Sequence, residues 1–264
     1  MLTSNINRER IKQYLSEGKR FDNRKPGEFR EVTIEPGVSK NAEGSVRVKI
    51  GKTEVLVGVK MGLGEPYPDS PEKGNLMTTA ELLPLSSPRF ENGPPKFPAI
   101  ELARVIDRVV RESKLIDFEK LCIKKGEKVW TVFVDIYSIN DDGNLLDAAG
   151  IGAVTALKSA RMPKYDAKEE KVLFGEFTDD KLLLSKTIPL SITAHKVGKN
   201  FIVDPTREEE DVSETRVTMG SSGGTIFSMQ KGEEKSLTLD EMNQILDLVE
   251  KTEKELSAKL KKYL

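Results

Sequence analysis

Ser138-Ile139-Asn140-Asp141-Asp142-Gly143-Asn144-Leu145-Leu146-Asp147-Ala148-Ala149 passes from one kind of periodicity to another. Upstream, residues 129–139 are rich in β-branched and aromatic side chains, the composition of a long strand. Asp141-Asp142-Gly143 is turn chemistry. Downstream, residues 148–160 read as a helix ended by Met162-Pro163. Its small residues, among them Ala148, Gly150, Gly152 and Ala156, suit close packing against a sheet. A strand, a turn and a small-residue helix predict a layered α+β protein.

The flanking sequence extends this pattern. Val46, Val48 and Ile50 alternate with Arg47 and Lys49, and Val55, Val57 and Val59 continue beyond Gly51-Lys52, which predicts a hairpin. Further strands are expected at 31–35 and 78–84, between loops rich in proline and glycine. Residues 100–113 form an amphipathic helix on Ile100, Ala103, Ile106, Val109 and Val110. A short helix near Ile6, Ile11, Tyr14 and Leu15 stops at Gly18. The second half echoes the first: a hairpin around Gly198-Lys199, strands at 215–219 and 225–230, and a last helix from Leu239 capped by Thr238 or Asp240. Two similar α+β units sharing a core are expected within one domain spanning 1–264. The halves lie at about 20–163 and 181–264, and 163–180 is the best boundary.

Bulk properties exclude several classes. The chain of 264 residues is 32% charged and has no apolar run long enough to span a membrane. With no signal-peptide core near Met1, a cytoplasmic location is expected. Cys122 is the single cysteine and His195 the single histidine, which excludes internal disulfides and multi-histidine metal sites. His195, in an alternating run, reads as an ordinary strand residue. The net charge of −1 means that any nucleic-acid binding must rest on a local patch or a partner chain.

Several motifs are set aside. Gly51-Lys52-Thr53 lacks both the upstream glycine and the following helix of a P-loop. Gly62-Leu63-Gly64 breaks the dinucleotide pattern at Tyr67. Gly220-Ser221-Ser222-Gly223-Gly224 reads as a turn between strands, and Glu208-Glu209-Glu210-Asp211 as a solvated acidic loop rather than a metal site. No cofactor or metal is expected.

Arg104, Arg108 and Arg111 recur at i, i+4 and i+7 in the amphipathic helix, so they share a face on which phosphates could lie. Pairing with Glu101, Asp107 and Glu112 is the competing reading. The run Ile100-Glu101-Leu102-Ala103-Arg104-Val105-Ile106-Asp107-Arg108 resembles the helix after the proline-rich loop of RNase PH-like proteins. Arg20-Phe21-Asp22-Asn23-Arg24 and the 44–61 hairpin resemble the same family, and the 138–149 stretch resembles its inactive archaeal exosome branch. The likeness covers about residues 20–250.

That resemblance implies an RNase PH-like α+β fold of two pseudo-symmetric βαβ-type units, similar to domain 2 of ribosomal protein S5. It also implies phosphorolysis, in which inorganic phosphate attacks the terminal phosphodiester at an RNA 3′ end. Active members place a glycine, a serine or threonine and an arginine at the helix start. The matching residues here are Asn144, Leu145 and Leu146. The two leucines donate no side-chain hydrogen bond, and Asp147 is expected to add a repulsive charge. Glu210 and Asp211 match the first acidic site of active members, and Arg216 stands at the second. The resemblance therefore implies a non-catalytic subunit, paired with a catalytic RNase PH-like exosome chain in a hexameric ring of three heterodimers. RNA-binding cap subunits would sit on one face. Arg104, Arg108 and, more weakly, Arg111 would contact single-stranded RNA. Two other readings stay open: an independently active phosphate-dependent exoribonuclease or nucleotidyltransferase, and a scaffold without RNA contact.

Overall fold

In a computed structural model, which describes residues 3–264, the 138–149 stretch joins strand β6 (Lys128–Asn140) to helix α3 (Leu145–Ser159). Residues Leu146 to Leu157 of α3 are all buried, because the helix lies between two sheets. A Cβ on Gly150 would stand 2.5 Å from Ser191 in one sheet, and one on Gly152 would stand 2.6 Å from Val57 in the other. The run of small residues is therefore a packing requirement on both sides.

The first sheet contains β1 (Val32–Pro36), β2 (Gly44–Ile50), β3 (Thr53–Gly64), β6 and β4 (Asn75–Leu82) in that spatial order, with β5 (Cys122–Lys124) paired to β6. Gly51, at φ +57°, makes the β2–β3 turn. β4 and β6 run parallel, and the crossover between them contains α2 (Phe97–Glu112). The long helix predicted at 100–113 thus starts three residues earlier, with Pro98 in its first turn.

The second sheet is antiparallel, ordered β10 (Asn200–Val203), β9 (Leu190–Val197), β11 (Thr215–Ser222) and β12 (Thr225–Gly232). Helices α2 and α3 fill the space between the sheets, and α5 (Leu239–Leu260) packs on β9 and β11. Thr238 caps α5 in a capping box with Glu241. The turn in the glycine-serine run falls at Gly223-Gly224, and Gly220 to Ser222 belong to β11.

Two elements differ from expectation. Residues around 163–180 form a ribbon of β7 (Arg161–Asp166) and β8 (Lys171–Lys181). The acidic run 208–211 is not a solvated loop but most of a short helix, α4 (Arg207–Asp211). Helix α1 (Asn5–Ser16), capped by Ser4, packs Ile11 and Leu15 against Val197, Ile202 and Val212 of the second half.

Candidate functional site

The β6–α3 junction lies at one end of a cleft of about 620 Å³, beneath the proline-rich loop that precedes α2. The junction is held from below. Gly143 and Asn144 adopt positive φ, +85° and +63°, and Asn144 donates its side-chain amide to Asp204 at 2.8 Å. Arg30 grips the same carboxylate with Nε and Nη2, at 2.9 and 2.7 Å, and donates to the carbonyls of Asp142 and Gly143. Burial pushes the Asp204 carboxyl up, but its bonds to Arg30 outweigh this and hold it below the usual range. Arg24 adds a third contact at 2.9 Å.

What the junction presents to the cleft is apolar. Leu145 and Leu146 open α3 and line the cavity. Neither has a donor for an anion, and the polar groups beside them are engaged with one another. Arg207 reaches Glu210, Asp211 and Asp141 at 2.7, 3.0 and 3.5 Å. Arg216, where active relatives are expected to carry a carboxylate, lies 2.6 Å from Glu101 of α2. Burial raises Glu210 above the ordinary carboxylate range, with Arg207 and the Asn144 backbone amide opposing it. The Glu210 carboxylate thus shares the neighbourhood of the α3 N-terminus, where an incoming anion would have to compete with it.

Asp147 does not act as expected. Its side chain is fully buried and turned away from the cleft, toward the second sheet. It accepts the backbone N–H of Thr193 at 3.1 Å, and the Thr193 hydroxyl lies 2.7 Å from its other oxygen and 3.0 Å from Thr218. Burial pushes this carboxyl up to about 7, against the opposing bonds from Thr193. The repulsive charge assigned to Asp147 is therefore absent from the cleft, and what the junction turns toward it is the two leucines and the neighbouring ion pairs.

The acidic run is likewise not solvated, because arginines from distant segments meet it. Glu209 accepts Arg20 Nε and Nη2 at 2.8 and 2.5 Å, both side chains being buried. Asp211 takes Arg89, from the proline-rich loop, at 2.5 Å and the Thr3 hydroxyl at 2.7 Å. Burial opposes ionisation of Asp211, but these bonds and Arg207 hold it far below the usual range. Among the described residues no group of three or more His, Cys, Asp or Glu could hold a metal ion.

His195 occupies β9 as predicted, fully buried, yet it also lines the cleft. Burial first, then Arg216 and Arg207, lower it to about 3, so it is neutral. Ser213 Oγ lies 3.1 Å from Nδ1 and donates its own proton to the Thr215 carbonyl, which makes Nδ1 the protonated nitrogen.

The α2 arginines divide. Arg111 is committed to Asp107 at 3.0 Å, to the Leu76 carbonyl and to the face of Phe118. Arg108 donates to Gln230 of β12 at 3.2 Å. Arg104 is exposed, and no hydrogen bond or ion pair to it is found among the described residues. Sequence reasoning missed Arg30, Arg89 and Asp204. Each acquires its role from a partner more than a hundred residues away, and no local pattern marks it.

A family model for domain 1 of the 3′ exoribonuclease family matches residues 28–163, and its domain 2 model matches residues 187–251. The chain belongs to this family and has its RNase PH-like fold. Within the family it is similar to archaeal proteins named exosome complex component Rrp42. That of Methanocella arvoryzae is 45% identical over 256 residues, covering 97% of this chain and 95% of the relative. That of Thermococcus onnurineus is 47% identical over 249 residues, 93% and 90%. A solved structure described as the Archaeoglobus fulgidus exosome with RNA bound to the active site superposes at TM-score 0.89 with 43% identity, covering 97% of this chain and 98% of that one. An archaeal exosome core superposes at 0.85 with 40% identity, covering 97% of each chain.

Proposed function

We propose that the chain is a non-catalytic subunit of an archaeal exosome, a cytoplasmic particle that degrades RNA from its 3′ end by phosphorolysis. The observation that carries this reading is the cleft itself. The family's phosphate-binding position holds Leu145 and Leu146, and the charged groups around it are spent on the pairs Arg207–Glu210 and Arg216–Glu101. Phosphorolysis needs preorganised donors where the attacking phosphate sits. The similarity to exosome components over nearly the whole chain supports the assembly.

The subunit pairs with a catalytic RNase PH-like chain, three such pairs closing a ring that carries RNA-binding caps. It shapes the partner's active site, and Arg104 and Arg108 contact RNA phosphates. Arg111, committed to Asp107, contributes least. The test is to incubate the purified chain, its catalytic partner and the assembled ring separately with inorganic phosphate and a 3′-tailed RNA. Release of nucleoside diphosphate is expected from the ring and not from this chain alone. Robust release by the isolated chain would mean that it is an independent exoribonuclease.

A further inference from the structure

We infer that Gln230 is a positioning residue for RNA, fixing the Arg108 guanidinium at the seam between α2 and the edge strand β12. The inference rests on the proposed role of Arg108 in RNA contact.

The seam is ordered from the cleft outward. At its inner end Arg216 spans from β11 to Glu101 of α2, its guanidinium against Gly232, where a Cβ would stand 2.8 Å away. That end is sealed by an ion pair between half-buried groups. One helical turn on from Glu101 comes Arg104, exposed. A further turn on comes Arg108, whose Nη1 donates to Gln230 Oε1 at 3.2 Å. Beyond it Gly220 brings β11 and Ser228 against Val109, closing the seam again. Between these two closed ends Arg104 is exposed and Arg108 partly so, and there a phosphate would meet them.

The identity of the Arg108 partner matters. Arg111, Arg207 and Arg216 are each bound to carboxylates, which neutralise them. The amide of Gln230 is uncharged. It orients one edge of the guanidinium and leaves the full positive charge and the remaining N–H groups for a ligand. Gln230, on the edge strand β12, stands opposite Thr218 of β11, and its bond to Arg108 turns its side chain toward α2. An uncharged clamp on a cation lowers the entropy lost when a phosphate binds, without competing for it.

Three variants in the assembled ring test this: Gln230→Ala, Gln230→Glu and Arg108→Ala. RNA affinity is measured across 50–200 mM salt, and ring mass is checked for each. Gln230→Glu places a carboxylate on Arg108, so it should mimic Arg108→Ala. Both should flatten the salt response by one phosphate contact, about a threefold smaller loss of affinity over that range for a single strand. Gln230→Ala should weaken binding several-fold at every salt concentration with the slope unchanged, because the charge stays but is no longer held. A purely structural Gln230 could not separate affinity from slope in this way. If both Gln230 variants bind like the parent while Arg108→Ala weakens binding, the positioning role is wrong and the RNA contact stands. If Arg108→Ala also changes nothing, the RNA contact itself fails and the inference falls with it.

Discussion

Arg216 Nη2 stands 2.6 Å from the Glu101 carboxylate, tying the second sheet to α2 beside the cleft. Both side chains are largely shielded from solvent. Glu101→Ala leaves the shielded Arg216 with only the more distant Glu233 carboxylate, at 3.7 Å, and a charged hydrogen bond of the kind removed contributes about 1.5–3 kcal/mol. Replacing both residues by leucine should restore part of the loss. Urea unfolding of Glu101→Leu, Arg216→Leu and the double variant checks this, and strictly additive losses would contradict it.

The Arg20–Glu209 pair is more deeply buried, and Arg20 also donates to the carbonyls of Val203 and Asp204. Arg20→Ala should therefore cost about 3–5 kcal/mol, since it leaves the buried Glu209 carboxylate with only the Thr206 backbone N–H and a distant Arg24, at 3.9 Å. Arg20→Lys should recover only a fraction, because an ammonium cannot reproduce the two-pronged contact. Thermal melts of the three proteins under one set of conditions give the ranking.

Asp147 gives the fold a pH dependence of unusual sign for an acid. Its carboxyl titrates near 7 in the fold against an ordinary value of 3.8. The contribution is complete below about pH 4 and is lost as pH rises through 7. Asp147→Asn can keep both Thr193 contacts, so it should abolish this slope and be more stable than the parent at pH 8. A pH series of denaturant midpoints that leaves parent and variant parallel would rule this out.

His195 acts in the opposite direction. Its ordinary value of 6.5 falls to about 3 in the fold, so its contribution is complete above 6.5 and is lost as pH falls toward 3. His195→Gln should make the acid limb of the same pH series shallower below about pH 4, where Asp147 no longer contributes a slope. Because the Asp147 and His195 slopes oppose each other between about 4 and 6.5, the parent should show a flatter profile there than either single variant.

Gly44 tests the packing of α3. A Cβ at this position would lie 2.3 Å from the Ala156 carbonyl oxygen and 2.9 Å from the Ala160 backbone. Backbone cannot swing aside as a side chain can. Gly44→Ala should destabilise the protein by about 1–3 kcal/mol, measurable as a lowered midpoint in urea, whereas Gly58→Ala, which meets nothing within 4 Å, should be close to neutral.

Sequence alone was informative wherever a pattern is local. The β2–β3 hairpin was legible from Gly51 and alternating valines, α3 from its small residues, and the α5 cap from Thr238. The two leucines at the helix start were legible as a loss of donors. The β7–β8 ribbon was not, because its strands are mostly exposed and carry no clear apolar alternation. Nor was the fate of the acidic run. Glu209 and Asp211 are structural because Arg20 and Arg89 arrive from 189 and 122 residues away. Asp147 was misread for the same reason: its neighbour Thr193 belongs to the other half of the molecule.

The packing of α1 and Arg20 onto Val197, Val212 and Glu209 sets a timetable for biosynthesis. The partners of this leading segment lie nearly two hundred residues downstream, and at ribosomal speed that gap is roughly ten to forty seconds. Throughout that interval Ile11 and Leu15 emerge with nothing to cover them, and Arg20 with no carboxylate to meet it. A segment translated long before its partners is therefore among the last to reach its place, and a nascent chain halted before residue 212 would display it to whatever factors wait at the exit tunnel.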